Sequence, residues 1–212
     1  GLDRRDGAVS EGQQRRLPWR PGAYIGPPTP GPPVIVLGID PGTRHCGYGV
    51  IEAERGRETV LDYGALHMPE SMDHTIRLTR IYEQVVALVD QHHPDEAAVE
   101  MPFYGKNARS MLVLGRAQAA VMLAAVHRQV PIAQYAPAEV KKAVTGKGQA
   151  TKDQVWFMIR QQLGIREDRG LDASDALAVA LCHVHRATTG PAAGAPKDWA
   201  AFIAANPGRV RG

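Results

Sequence analysis

The chain has 212 residues, 44% hydrophobic and 22% charged, with a formal net charge of +3. That length and balance suit one globular domain with its own core, and the small positive excess permits a nucleic-acid partner without requiring one. Two cysteines, Cys46 and Cys182, exclude a disulfide framework or a cysteine-built zinc site; no apolar run reads as a membrane span, the N-terminus lacks the apolar core of a secretion signal, and a cytoplasmic setting is expected.

Residues 1–33 read as a disordered leader, with scattered arginines and a Pro/Gly-rich stretch from Pro27 to Pro33. The first folded element is a buried strand from Val34. Its four apolar residues, three of them β-branched, run into Gly38-Ile39-Asp40-Pro41-Gly42, where Pro and Gly mark a turn. Asp40 therefore stands at the tip of a buried strand, where a carboxylate needs water, a partner or a metal. Cys46–Glu54 and Thr59–Met68 read as two further strands joined by Arg55-Gly56-Arg57, and the short connections imply an antiparallel meander.

At Asp73 the period changes. Ile76, Leu78, Ile81, Tyr82, Val85, Val86, Leu88 and Val89 recur at helical spacing, with Asp73 as cap and Pro94 as stop. Ala97–Glu100 is a fourth strand ending on a second carboxylate, and Met101–Asn107 is a loop. From Ser110 to about Gln129 a helix is apolar nearly all round, which implies a central position, a subunit interface, or both. Val130–Tyr135 is a fifth strand. Pro137 opens a helix to Val144, Thr145–Gly148 is a basic break, and Thr151 caps a helix to Leu163. The last helix runs from Asp172 to Arg186, with His183 and His185 expected at its surface end. Residues 188–212 read as a flexible tail with an amphipathic stretch at Trp199, Phe202 and Ile203.

The order predicts an α/β fold: a mixed sheet of five strands, antiparallel meander plus parallel crossovers, flanked by helices. A right-handed crossover would lay the fourth strand parallel to the first and bring Asp40 beside Glu100. Asp172 and Asp175, three apart, share a helix face. Capping the helix would explain one of them; two, flanked by apolar residues, favour metal binding. Four carboxylates at the ends of buried elements repel unless a cation joins them. Hard oxygen ligands suit Mg²⁺ or Mn²⁺, and a pair of such ions suits phosphoryl transfer. Lys106, Arg109, Arg116, Lys141, Lys142, Lys147 and Lys152 could line a phosphate track beside these acids, although a solvated face is the default for each.

Gly38-Ile39-Asp40-Pro41-Gly42-Thr43, Gly47-Tyr48-Gly49-Val50, Val99-Glu100 with Phe103 and Lys106-Asn107, and Asp172-Ala173-Ser174-Asp175-Ala176-Leu177-Ala178 together resemble the RuvC family of Holliday junction resolvases, from about Val34 to Arg186. The resemblance implies an RNase H-like nuclease domain at 34–187, a homodimer, and Mg²⁺-dependent nicking of two strands of like polarity at a four-way DNA junction during recombination and repair. It implies two Mg²⁺ per site, with Mn²⁺ as a substitute, and a branch-migration motor of RuvA and RuvB as partner. By position, Asp40, Glu100, Asp172 and Asp175 match the catalytic acids. Phe103 matches an aromatic that enters the junction, and Lys141 and Lys152 match basic residues near the scissile phosphate. Pro102 departs from the residues expected before that aromatic. An actin-like ATPase or sugar kinase also opens with Gly-x-Asp-x-Gly-Thr, but no second phosphate loop follows. A silent junction-binding scaffold would not need all four acids.

Overall fold

The computed structural model describes residues 32–102, 107–167 and 169–189. The leader up to residue 31 and the tail stretch at Trp199, Phe202 and Ile203 lie outside the described residues. Three strands come first: β1 (Val34–Asp40), β2 (His45–Glu54) and β3 (Arg57–His67). They are followed by α1 (His74–His92), β4 (Glu96–Glu100), α2 (Ala108–His127), β5 (Ile132–Tyr135), α3 (Pro137–Thr145), α4 (Lys152–Leu163) and α5 (Leu171–Thr189).

The strands form one sheet in the order β3-β2-β1-β4-β5. β1 pairs antiparallel with β2 and parallel with β4; β2–β3 is antiparallel and β4–β5 parallel. This is the expected mixed sheet, with β4 beside β1. Local signals start the helices. Asp73 Oδ1 accepts from the backbone N–H groups of Thr75 (2.8 Å) and Ile76 (3.4 Å). Thr151 and Gln154 form a reciprocal capping box at the head of α4.

Alternation along the strands divides the core in two. Leu37 and Ile39 of β1 and Ala97 and Val99 of β4 pack with Ile81, Val85 and Leu88 of α1 and Val121 of α2. Val36 and Ala98 face the other way, toward α3, α4 and α5. By the same alternation, Asp40 and Glu100 point to the α5 side.

That side is paved with glycine. A Cβ on Gly38 would lie 2.3 Å from the Ala176 carbonyl oxygen, and one on Gly47 would lie 2.0 Å from that of Asp172. At Gly49 it would meet the Leu177 side chain at 2.7 Å. Without these Cβ atoms, α5 lies directly on β1 and β2, and its residues Ala173, Ala176, Leu177, Ala180 and Leu181 are fully buried.

Of the places expected for the apolar helix α2, the central one is taken by another helix, α5. α2 buries only a stripe of Ala117, Val121, Ala124 and Ala125, while Leu112, Leu123 and Val126 are more than half exposed. Among the described residues α2 is also long and apolar enough, by length and composition alone, to cross a membrane, which corrects the reading that no run was. Its small residues let it seat on α1 and the sheet, so its larger side chains face outward. His183 corrects another expectation: it is buried inside the α5 layer, not set on the surface.

Gly38→Ala should destabilise the fold by about 3 kcal/mol, because the methyl meets backbone that cannot yield. Gly115→Ala, where a Cβ meets nothing within 4 Å, should stabilise α2 by about 0.5 kcal/mol. Urea unfolding of both variants distinguishes the cases, and a neutral Gly38→Ala would contradict the packing argument.

Candidate active site

The site forms where the C-terminal ends of β1 and β4 meet the start of α5. Ile39 and Val99 are register partners, so Asp40 and Glu100 stand side by side one step further on. α5 runs over them and brings Asp175. These three carboxylates line one pocket of about 140 Å³ with Lys141 of α3 and Lys152 of α4; Val140, Val155 and Ala178 contribute apolar wall. Lys152 Nζ donates to Asp175 Oδ2 at 2.7 Å.

Crowding is visible in the acid–base behaviour. The Asp40 carboxyl is raised from 3.8 to about 6, chiefly by burial and then by the Asp175 charge, with Lys152 opposing and Asp172 adding. Glu100 rises from 4.5 to about 7 through burial and then the charges of Asp40 and Asp175, with Lys152 and Lys141 opposing. The hydrogen bond to Asp175 raises Lys152, which keeps it cationic. Cys46, close by, is pushed up to about 12 mainly by burial and is inert.

Asp172 stands apart. It lies outside that pocket's lining, and its Oδ2 is 3.5 Å from His45 Nδ1. As the side chains are placed, no three His, Cys, Asp or Glu residues among the described residues close around a single point. The fold thus brings Asp40, Glu100, Asp175, Lys141 and Lys152 together, with Asp172 at the margin. Phe103 and Lys106 lie outside the described residues.

Two features escaped sequence reasoning. His45 and His67 are register partners across β2 and β3, and their Nδ1 atoms are 2.7 Å apart beside Asp172. Fixing the hairpin register would have paired them. The second is the glycine paving: Gly47 and Gly49, two apart on a strand, share one face. The loop ahead of α5 is also tied down, since Arg169 Nη1 donates to the Tyr63 carbonyl oxygen at 3.1 Å and its guanidinium lies 4.7 Å from the Tyr63 ring centre.

Comparison with known proteins identifies the family and the fold. Residues 36–183 match the family described as crossover junction endodeoxyribonuclease RuvC. The chain belongs to the RuvC family. A RuvC from Salinibacter ruber is 49% identical over 178 residues, covering 84% of this chain and 99% of that protein. The structure of Thermus thermophilus RuvC in complex with Holliday junction substrate matches with a TM-score of 0.70 and 33% identity, over 74% of this chain and 96% of that one. The yeast mitochondrial resolvase Ydc2, at 15% identity and a TM-score of 0.55 over 74% of this chain and 80% of that one, shares the fold. The sheet with its two helical layers is the RNase H-like architecture of RuvC nucleases.

Asp40 and Glu100 bind protons more tightly when folded than when unfolded. The metal-free RuvC fold therefore loses stability as pH rises from about 4 through about 7. Glu100→Gln should stabilise the metal-free protein near pH 8 by on the order of 2 kcal/mol, and the gain should fade near pH 5. Urea titrations at the two pH values check this; a destabilised variant near pH 8 would show that Glu100 is not under charge strain.

Proposed function

We propose that this chain resolves four-way DNA junctions by metal-assisted hydrolysis, with Asp40, Glu100, Asp172 and Asp175 as the acidic set. One observation carries the reading: Asp40, Glu100 and Asp175 share a small pocket in which two carboxyls are raised toward neutrality. A group of acids under that strain gains most from a divalent cation. Mg²⁺, in a pair with Mn²⁺ as a substitute, would be held by Asp40, Glu100 and Asp175, with Asp172 at the outer edge. Bound there, it supplies Lewis-acid stabilisation and a more acidic water.

The chain's own groups supply the rest. Lys152 is held cationic beside Asp175 and is available to a phosphate oxygen once a cation takes over that carboxylate. Lys141 of α3 adds positive charge to the same pocket. The apolar wall of Val140, Val155 and Ala178 limits water and strengthens these interactions. Glu100 and Asp40 are raised toward neutrality without a cation; a bound cation would favour their ionised forms and so relieve that strain. Phe103 would stack in the opened junction and Lys106 would meet the backbone; both assignments rest on the family motif.

The T. thermophilus complex supports a four-way junction as substrate. The exposed Leu112, Leu123 and Val126 of α2 support a homodimer, which would set two sites at the two crossing strands. A cytoplasmic setting and action with RuvA and RuvB complete the reading, on family grounds.

Labelled four-way junction, linear duplex and flap DNA should be incubated with the protein, with and without Mg²⁺. The junction alone should be nicked, in paired fashion, and only with the metal. Asp40→Asn should reduce cleavage roughly 100-fold or more while junction binding by gel shift stays near wild type. Equal loss of binding would point to misfolding, and ATP hydrolysis in place of DNA cleavage would overturn the reading.

A further inference from the structure

Tyr135, His183 and Glu96 form a chain of three polar side chains, buried at Tyr135 and His183 and half-exposed at Glu96, that the proposed chemistry does not use. His183 Nδ1 is 2.8 Å from the Tyr135 hydroxyl oxygen, and its Nε2 is 2.5 Å from Glu96 Oε2. The ring is only 7% exposed. A neutral imidazole satisfies every partner here: the Tyr135 hydroxyl donates to Nδ1, and Nε2–H donates to Glu96. The His183 hydrogen bond holds the Glu96 carboxyl below its usual range.

The three residues come from β5, α5 and β4. Each element also borders the active site. Tyr135 is the register partner of Glu100, and its carbonyl oxygen accepts from Met101 N–H at 2.8 Å. Glu96 lies four residues before Glu100 on the same face of β4. His183 lies eight residues after Asp175 on α5, about 12 Å along one rigid helix. Arg186, 5.8 Å from the Tyr135 ring centre, pairs with Glu139 of α3, the helix that carries Lys141.

Glycine seats α5 closely on β1 and β2, where Gly38, Gly47 and Gly49 meet its backbone and Leu177. β4 and β5 carry no glycine, so that close seating does not extend to them. Toward these two strands the hydrogen bonds of His183 with Tyr135 and Glu96 supply a directional hold. We infer that Tyr135, His183 and Glu96 act as a clamp that fixes the axial position of α5 against β4, and so the separation of Asp175 from Glu100, which makes His183 a positioning residue. Its consequence for metal affinity rests on the nuclease reading above; its consequence for local rigidity does not.

Tyr135→Phe removes the hydroxyl and keeps the ring. Mn²⁺ binding, followed by electron paramagnetic resonance without DNA, should weaken ~10-fold. Amide exchange should speed up at Glu100, at Met101 and in the Asp175 turn of α5. Val89→Ala, in the core layer on the other side of the sheet, supplies a control at comparable loss of thermal stability. It should leave both readouts unchanged. If Tyr135→Phe and His183→Gln match Val89→Ala in Mn²⁺ affinity and in exchange at these amides, the clamp is overturned. If wild-type protein binds no Mn²⁺, the metal reading fails, and the exchange comparison alone decides the clamp.

Discussion

The close seating of α5 on the glycine face of β1 and β2 is the constraint from which the rest follows. Gly38, Gly47 and Gly49 leave room for backbone to meet backbone, with Asp172 and Ala176 carbonyl oxygens where Cβ atoms would otherwise stand. Only at that distance can the first turns of a helix place Asp175 in a pocket with carboxylates projecting from strand ends. A helix held off the sheet by Cβ atoms at these positions would leave the acids further apart. The same contact makes α5 the most enclosed element in the molecule, with apolar burial that contributes roughly 1.5–3 kcal/mol for each large side chain such as Leu177 or Leu181.

That stability supports a site working against it. Burial and mutual repulsion raise Asp40 and Glu100 toward neutrality, while Lys152 offsets part of the strain through Asp175. Acids so placed are poor for a metal-free fold at neutral pH and well disposed toward a divalent cation. Under the proposed chemistry a cation would compete with Lys152 for the Asp175 carboxylate. Lys152 offsets the charge of the acids through Asp175 and would be released toward phosphate by such a cation.

Much of this was legible in the chain. Strand–turn chemistry located Asp40, and two short connections implied the meander. The right-handed crossover rule puts β4 beside β1, which brings Asp40 and Glu100 together. Helical spacing put Asp172 and Asp175 on one face but not at equal depth. The structure places Asp175 inside the pocket and Asp172 at its rim beside His45, a difference set by how α5 crosses the sheet. His183 was misread because its distance from the helix end implied solvent, whereas Tyr135 and Glu96 approach it from strands 48 and 87 residues away in sequence. For α2 the sequence left a central place or a subunit interface open, and α5 takes the central place. Apolar composition measures what could be buried, and the small residues of α2 decided which side was.

The sequence by itself determined the order of elements, the caps, the strand-end acids and the motif set that marks a RuvC protein, because each depends on local propensity, periodicity or spacing along a few residues. The tertiary structure alone decided which acids share a pocket, which lysines line it, which apolar helix is central and which partners His183 meets. Those outcomes turn on approach distances of a few ångströms between elements far apart in the chain. Such distances are set jointly by glycines on one surface and alanines on another, and no single stretch of sequence contains both.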